Sequence, residues 1–276
     1  MRFTSTCVLS SLLALGMIAV GQAGTYSDLV IADGAINYWS FEQASTADPA
    51  TDSAGSVDGT YQGNVVLAPN TESSLLGNAA QFDGQDGTHV ALGAGTVIGD
   101  SITVEAWVNL DVDATAGFSP VLAKWDGSFE LDVNATDQPG LGTDRVDFVL
   151  RNSSNDFGDP ASPIAISRGE WHHVAGVYDG TTGEGLVYLD GVAGAPFSLG
   201  GALQNAGGDD GNWYIGTTRN PASGFNWDGW IDEVAVYDKA LSAETIQSHI
   251  NAVPEPTSVS LLLVGLLGVG LLRRKR

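Results

Sequence analysis

Two carboxylates that alternate along one predicted strand are the residues best placed for acid–base chemistry. They lie in the stretch Glu130-Leu131-Asp132-Val133-Asn134-Ala135. Successive side chains of a strand point to opposite faces, so Glu130 and Asp132 share a face. Two carboxyl groups about 5.5 Å apart on one face can cleave a glycosidic bond with retention of configuration. This pair is the nearest approach in the sequence to a glycosidase arrangement.

Histidine chemistry is not indicated by the neighbouring His172 and His173. Adjacent strand residues face opposite sides, so the two rings cannot serve one site, and we interpret both as structural. His89 and His249 have no partner motif. The sequence also has no serine nucleophile elbow, zinc-ligand spacing or phosphate-binding loop. We therefore expect no catalytic residues and a protein that is not an enzyme.

An acidic, glycine-containing segment favours a hard cation. Asp52 and Asp58 flank it, and Asp232 could complete a calcium site if the N-terminal and C-terminal strands lie side by side. Calcium prefers carboxylate and carbonyl oxygens. The alternative is that Asp52 and Asp58 only form turns. We predict a structural calcium ion at these three aspartates.

Four aromatic residues in or near predicted loops could bind a sugar. Pyranose faces stack on aromatic rings beside polar groups, and the candidates are Trp125, Phe157, Phe225 and Trp227. The alternative is that these rings cover the core or its edge. Trp39, Trp107 and Trp171 fall within strand patterns and are expected in the core.

The elements that must position these residues are predominantly β-strands. Ten stretches alternate with period two or are rich in β-branched and aromatic residues, and Asp-Gly pairs that suit tight hairpins follow two of them. The predicted strands are Ile36–Phe41, Thr88–Leu92, Ile102–Leu110, Val121–Lys124, Ser128–Val133, Arg145–Arg151, His172–Tyr178, Gly185–Leu189, Trp213–Thr217 and Gly229–Val236. One helix is predicted from Ser242 to Asn251. The pattern predicts an all-β fold, a two-sheet antiparallel jelly-roll sandwich over residues 24–251.

Both ends of the chain are typical of targeting segments. Arg2, the apolar run Val8–Val20 and Gly21-Gln22-Ala23 predict a signal peptide over residues 1–23. The only cysteine, Cys7, lies within it, so the mature protein has no disulfide. At the other end, 252–276, an apolar run and a basic tail predict one transmembrane helix with its basic end in the cytoplasm.

Charge excludes some partners. Residues 24–250 carry six basic and 32 acidic side chains, a formal charge of −26. Such a surface repels nucleic acid and anionic lipid. The composition therefore indicates an exported protein that is not a nucleic-acid-binding protein.

Two parts of the chain resemble known families. Pro254-Glu255-Pro256, the apolar residues Val259–Leu272 and the basic residues Arg273–Arg276 resemble a PEP-CTERM sorting signal. That resemblance implies recognition and cleavage by an exosortase, a Gram-negative-type envelope, and a protein that is secreted or held at the cell surface.

The middle of the chain resembles a LamG-like domain of the concanavalin A-like lectin/glucanase fold. The matching stretches are FDGQDGTHVALG, SITVEAWVNL, WHHVAGVYDG, GLVYLDG and FNWDGWIDEVAVYDKALS. Glucanases of this fold carry Glu-x-Asp-x-x-Glu on one strand, and Ala135 replaces the last acid here. We therefore interpret Glu130 and Asp132 as a polar strand face.

These observations predict an exported, exosortase-sorted surface or matrix protein. Its non-catalytic LamG-like domain would serve adhesion or carbohydrate binding, with an extracellular glycan or surface protein as partner. Two alternatives stay open: a structural matrix protein without a specific ligand, and a divergent carbohydrate-active enzyme.

Overall fold

Two antiparallel β-sheets pack face to face in the computed structural model, which describes residues 25–70, 76–115, 117–124, 128–134, 143–204, 211–218 and 224–253. Two helices accompany the sheets, α1 (Tyr26–Ala32) and α2 (Ala243–Ala252). The predicted all-β, antiparallel two-sheet sandwich is confirmed.

The first sheet has nine strands in the order β13-β12-β11-β6-β16-β4-β3, with β1 paired to β16 and β14 to β12. Its strands are β1 (Asn37–Trp39), β3 (Val66–Pro69), β4 (Asn78–Asp83), β6 (Ile102–Leu110), β11 (His172–Asp179), β12 (Glu184–Leu189), β13 (Val192–Ala193), β14 (Phe197–Ser198) and β16 (Asp228–Tyr237).

The second sheet has seven strands in the order β10-β9-β8-β7-β15-β5-β2. They are β2 (Thr60–Gln62), β5 (His89–Ala91), β7 (Phe118–Lys124), β8 (Phe129–Asn134), β9 (Arg145–Arg151), β10 (Phe157–Gly158) and β15 (Tyr214–Ile215).

The main core lies between the two sheets because each strand turns its alternate apolar residues inward. Val104, Ala106 and Val108 of β6 are fully buried there, as their alternation predicts. Leu131 of β8 and Phe148 of β9 meet them from the seven-stranded sheet. The carboxylates that alternate with these residues therefore lie on the outer face of that sheet.

Both helices cover the outer face of the nine-stranded sheet. Tyr26 and Val30 of α1 and Ile246 of α2 belong to a second apolar cluster on that face. Thr25 caps α1 in a capping box, and the Ser242 side chain accepts a hydrogen bond from the Thr245 amide at the start of α2. The predicted C-terminal helix is confirmed, whereas α1 was missed.

The described residues contain no helix that is long and apolar enough to cross a membrane. The signal peptide 1–23, the sorting motif Pro254, Glu255 and Pro256, and the predicted transmembrane helix lie outside the described residues. The domain boundaries at 24 and 251 stay predictions.

Candidate functional site

A cluster of four acids lies on the outer face of the seven-stranded sheet. Asp132 of β8 is directly opposite Asp147 of β9, and Glu130 is two residues away on the same face. Asp132 and Asp147 are each only 1% exposed. Asp159, just beyond β10, interacts electrostatically with both. We call Glu130, Asp132, Asp147 and Asp159 the acid cluster.

Burial makes ionisation of the acid cluster costly. It raises the pKa of Asp147 to about 7, with the Asp159 charge adding to the rise, and that of Asp159 to about 6. Burial, followed by the charges of Glu130 and Asp147, raises the pKa of Asp132 well above its ordinary range. Part of the cluster is therefore protonated at neutral pH, and a neutral carboxyl group can both donate and accept a hydrogen bond.

Unpaired oxygens remain inside the acid cluster. One carboxyl oxygen each of Asp132, Asp147 and Asp159 is buried without a hydrogen-bond partner. Glu130 accepts a hydrogen bond from the Thr218 hydroxyl at 3.3 Å. Glu130 and Asp132 were predicted to share one strand face, whereas Asp147 and Asp159 were missed. Arg145, Asp147 and Arg151 are charged residues separated by apolar ones along a predicted strand. This pattern was the sequence signal that could have placed Asp147 on the same sheet face.

The free edge of this sheet carries an exposed aromatic ring. Phe157 of β10 pairs with Arg151 of β9 and, by strand alternation, projects from the outer face. Its side chain is 49% exposed. The Arg151 guanidinium donates a hydrogen bond to the Asn155 Oδ1 atom at 2.8 Å. Phe157 thus presents an exposed ring beside polar groups, and its role as a sugar platform stays a prediction.

The other aromatic candidates have different environments. Trp125 lies outside the described residues. Phe225 is half-buried, and its ring meets that of Phe118 edge to face at 5.5 Å. Trp227 is fully buried in the main core, which corrects its assignment as an exposed platform. Backbone hydrogen bonds to Gly84 and Gly216 hold Trp227 against both neighbouring segments, and its ring enters the space between the sheets.

The predicted calcium ligands are placed as follows. The Asp52 carboxylate accepts five hydrogen bonds, from the Asn37 side chain and from the backbone amides of Tyr38, Ala54, Gly55 and Val57. The exposed Asp58 accepts one from the Asp52 amide at 2.9 Å. Asp232 is fully buried, and its Oδ1 atom accepts one from the Glu233 amide.

Strands β1 and β16 are neighbours, as the calcium prediction required. The part of the chain described by the structure nevertheless holds no group of three or more His, Cys, Asp or Glu side chains arranged to bind a metal ion. Asp52 organises its loop through hydrogen bonds, in agreement with the alternative of a turn-forming residue. Calcium stays a prediction.

A second buried polar cluster fastens the helices to the nine-stranded sheet. The Glu105 carboxylate accepts a hydrogen bond from Tyr237 at 2.6 Å and lies 2.9 Å from His249 Nδ1 and 3.2 Å from His173 Nε2. The other ring nitrogen of His249 is 3.0 Å from Asp33 at the end of α1. This helix clasp, made of Glu105, His249, His173, Tyr237 and Asp33, joins both ends of the domain.

Opposing effects set the charges of the helix clasp. Burial opposes ionisation of Glu105, but hydrogen bonds from His173 and His249 outweigh it and lower its pKa to about 2. Burial also opposes the charged form of His249, yet Glu105 and Asp33 outweigh it and raise the His249 pKa. The negative charge of Glu105 and the positive charge of His249 therefore stabilise each other within the clasp.

Both histidines of the adjacent pair are structural, as predicted. His172 pairs with the loop residue Asp190 at 2.7 Å, while His173 points to the opposite side of the strand and is fully buried. The clasp role of His249 was missed because its partner Glu105 lies 144 residues away in the sequence.

The antiparallel two-sheet sandwich defines the class of the protein as a lectin-like β-sandwich. A family model for Laminin_G_3, described as the concanavalin A-like lectin/glucanases superfamily, matches residues 83–247. The chain belongs to this family, and the predicted LamG-like resemblance is confirmed. A second model, the PEP-CTERM protein-sorting motif, matches residues 252–276, which confirms the predicted sorting signal and indicates an exported protein.

Solved structures with the same fold include carbohydrate-binding proteins. Domain 4 of a GH43 extracellular arabinanase from Geobacillus stearothermophilus, in complex with arabinotriose, is 20% identical with a TM-score of 0.60. The alignment covers 78% of this chain and 98% of that one. At these identities the similarity shows the fold alone.

Two toxin domains are also similar. The botulinum neurotoxin serotype D ligand binding domain in complex with N-acetylneuraminic acid is 13% identical, with a TM-score of 0.57 and coverage of 83% and 52%. The binding domain of Paraclostridial Mosquitocidal Protein 1 is 10% identical, with a TM-score of 0.60 and coverage of 80% and 53%. The chain spans about half the length of these toxin chains. No curated protein sequence matches the chain.

Proposed function

We propose that the chain is an exported surface protein whose sandwich is a non-catalytic glycan-binding module. The observation that carries this proposal is Phe157, an exposed ring on the open edge strand of the seven-stranded sheet beside Arg151. A sugar face can stack on the ring while its hydroxyl groups bond to the neighbouring polar side chains. Adhesion to an extracellular glycan follows from such binding.

The burial of the acid cluster supports a role without catalysis. Hydrolysis of a glycosidic bond needs two carboxyl groups that reach the sugar. Asp132 and Asp147 are 1% exposed, so a polysaccharide does not reach them in this structure. Turnover of a bound polysaccharide that Glu130→Gln abolishes would favour the divergent enzyme instead.

The positions of the helices support presentation of this face away from the envelope. α1 and α2 lie side by side on the outer face of the nine-stranded sheet, where His249 contacts Asp33. Residues 25 and 253 therefore leave the domain on that side. We propose that exosortase sorting through Pro254, Glu255 and Pro256, with anchoring by the predicted C-terminal helix, leaves Phe157 directed outward.

Replacing Phe157 by alanine tests the glycan-binding function. We expect the full chain, purified in mild detergent, to bind members of a glycan array, and Phe157→Ala to weaken that binding by about three- to tenfold. The expected loss reflects an aromatic contact worth about 1 kcal/mol. Ile164→Ala is the matched control, because Ile164 is another exposed apolar residue beyond the same edge strand. Absence of binding to any glycan would favour a structural matrix protein.

Thermal unfolding with calcium and with excess chelator tests the predicted calcium ion at Asp52, Asp58 and Asp232. Calcium at 100 times its dissociation constant adds about 2.7 kcal/mol to the free energy of unfolding. For a domain of this size, we expect the midpoint to rise by roughly 5–10 °C. Asp58→Asn and Asp232→Asn should abolish the rise. Equal midpoints with calcium and with chelator would remove calcium from the proposal.

A further inference from the structure

The sorting motif begins where the folded domain ends. The segment that matches it starts at Ala252, the last residue of α2, and Pro254 directly follows Val253. Val253 is only 7% exposed and belongs to the second apolar cluster. Its amide donates a hydrogen bond to the Ile250 carbonyl at 3.0 Å. The residue immediately before the motif is therefore packed into the domain.

Three contacts hold the C-terminal half of α2 on the nine-stranded sheet. Ile246 is fully buried in the second apolar cluster. The Nδ1 atom of His249 lies 2.9 Å from Glu105 in the helix clasp. Ile250 rests against the turn between β12 and β13, where a methyl group placed on Gly191 would come within 3.2 Å of its Cδ1 atom. The last two turns of the helix are thus anchored by both apolar and charged contacts.

Little chain separates the domain from the predicted transmembrane helix. Five residues, 254–258, lie between Val253 and the apolar run that begins at Val259. An extended chain spans at most about 3.6 Å per residue, so this spacer reaches about 20 Å. Two of its residues, Pro254 and Pro256, have a restricted φ and no amide hydrogen. The spacer therefore offers little slack between the domain and the membrane.

Cleavage at the motif requires chain that is extended and accessible. Peptides commonly bind their partners as extended strands that pair through main-chain groups, and proteolysis is concentrated in exposed segments. On the N-terminal side of the motif, residues 250–252 are helical and Val253 is buried. An enzyme that binds the chain on both sides of the motif therefore meets α2 in its folded form.

We propose that α2 regulates sorting, because its C-terminal half must leave the sheet before an exosortase can bind and cleave the chain at Pro254-Glu255-Pro256. The contacts of Ile246 and His249 then determine the cleavage rate. Cleavage of a transiently opened segment follows the population of the open form when opening and closing are faster than cleavage. This inference rests on the proposed exosortase sorting and adds its regulation.

Pulse-chase labelling of the full chain in Gram-negative cells that carry an exosortase tests this role of α2. The measured quantity is the rate at which the C-terminal segment is lost. Ile246→Val removes one buried methyl group beneath α2. We expect processing to become about two- to tenfold faster, since the loss of a buried methyl group raises the population of the open form by that factor.

Ile215→Val is the matched control, because it makes the same chemical change at a residue that is fully buried in the main core between the sheets. It should be processed at the rate of the parent chain. Equal acceleration by Ile215→Val and Ile246→Val would show that cleavage follows unfolding of the whole domain, and would overturn the specific role of α2.

A flexible linker of about eight Gly and Ser residues between Val253 and Pro254 gives a second test that leaves the domain itself unchanged. The chain with the linker should be processed faster than the parent chain, and Ile246→Val should add no further acceleration to it. Equal rates for the parent chain, Ile246→Val and the chain with the linker would refute the inference.

The outcomes for sorting and for glycan binding are separable. If the exosortase cleaves none of these chains, sorting through Pro254-Glu255-Pro256 fails together with its regulation by α2. Binding of the parent chain to the glycan array is measured independently, because Phe157 lies on the seven-stranded sheet and α2 covers the nine-stranded one.

Discussion

His249→Ala is expected to lower the free energy of unfolding by about 3–5 kcal/mol, the usual cost of removing one partner from a buried charge pair. His249 is fully buried and lies within 3.0 Å of both Glu105 and Asp33. Its loss leaves Glu105 buried with fewer partners and detaches α2 from α1. Chemical denaturation of the parent chain and the variant measures the difference.

The same helix supplies a control for this prediction. Gln247 is exposed on α2, and its side-chain amide donates a hydrogen bond to the neighbouring helical residue Asn251. Gln247→Ala should change the free energy of unfolding by less than about 0.5 kcal/mol. Equal destabilisation by both substitutions would show that the clasp contributes no more to stability than an exposed position of the same helix.

The helix clasp also has a defined pH dependence. The Glu105 pKa is lowered to about 2, so its contribution to stability is complete above the ordinary value of 4.5 and is lost as the pH falls from there toward 2. The His249 pKa is raised, so its contribution is complete below 6.5 and is lost as the pH rises through the folded-state value. Both contributions are complete between about pH 4.5 and 6.5.

Asp147→Asn is expected to stabilise the domain at pH 8, by about 1–3 kcal/mol. Its folded pKa of about 7 exceeds the ordinary 3.8, so folded protein binds more protons than unfolded protein across that interval. The free energy of unfolding of the parent chain therefore falls as the pH rises from about 4 to 7. The amide removes this penalty because it has no charge to bury.

Denaturation at pH 4 and pH 8 measures the predicted gain. At pH 4 the folded carboxyl group is already protonated, so Asp147→Asn should have little effect there. Asp132→Asn should behave in the same way, since burial also raises its pKa. Glu170 is exposed, so Glu170→Gln is the control and should leave the free energy of unfolding unchanged at both pH values. Destabilisation at pH 8 by Asp147→Asn would contradict the prediction.

Local patterns in the sequence determined most of the strands. Strand β9, Arg145–Arg151, was predicted with its observed bounds because apolar and polar residues alternate along it. Strand β6 was predicted equally well from the run Ile102–Leu110. Ser242 was identified as a cap from its own hydrogen-bonding chemistry. Each of these features depends on residues that are close in sequence, so a single sequence is sufficient.

Elements with weak local patterns were missed. Helix α1 has seven residues, too few for a clear helical period. Strand β4, Asn78–Asp83, contains no β-branched residue. Their conformations are stabilised by packing against other elements, since Ala80 and Phe82 of β4 lie in the core between the sheets.

The candidate sites were determined largely by the tertiary structure. The sequence alone placed Glu130 and Asp132 on one strand face and proposed Phe157 as a sugar platform. Strand register brought Asp147 opposite Asp132, and sheet packing buried Trp227. The helix clasp joins His249 to Glu105 across 144 residues. Register, burial and long-range pairing depend on which strands become neighbours, and alternation within one strand carries no information about its partner.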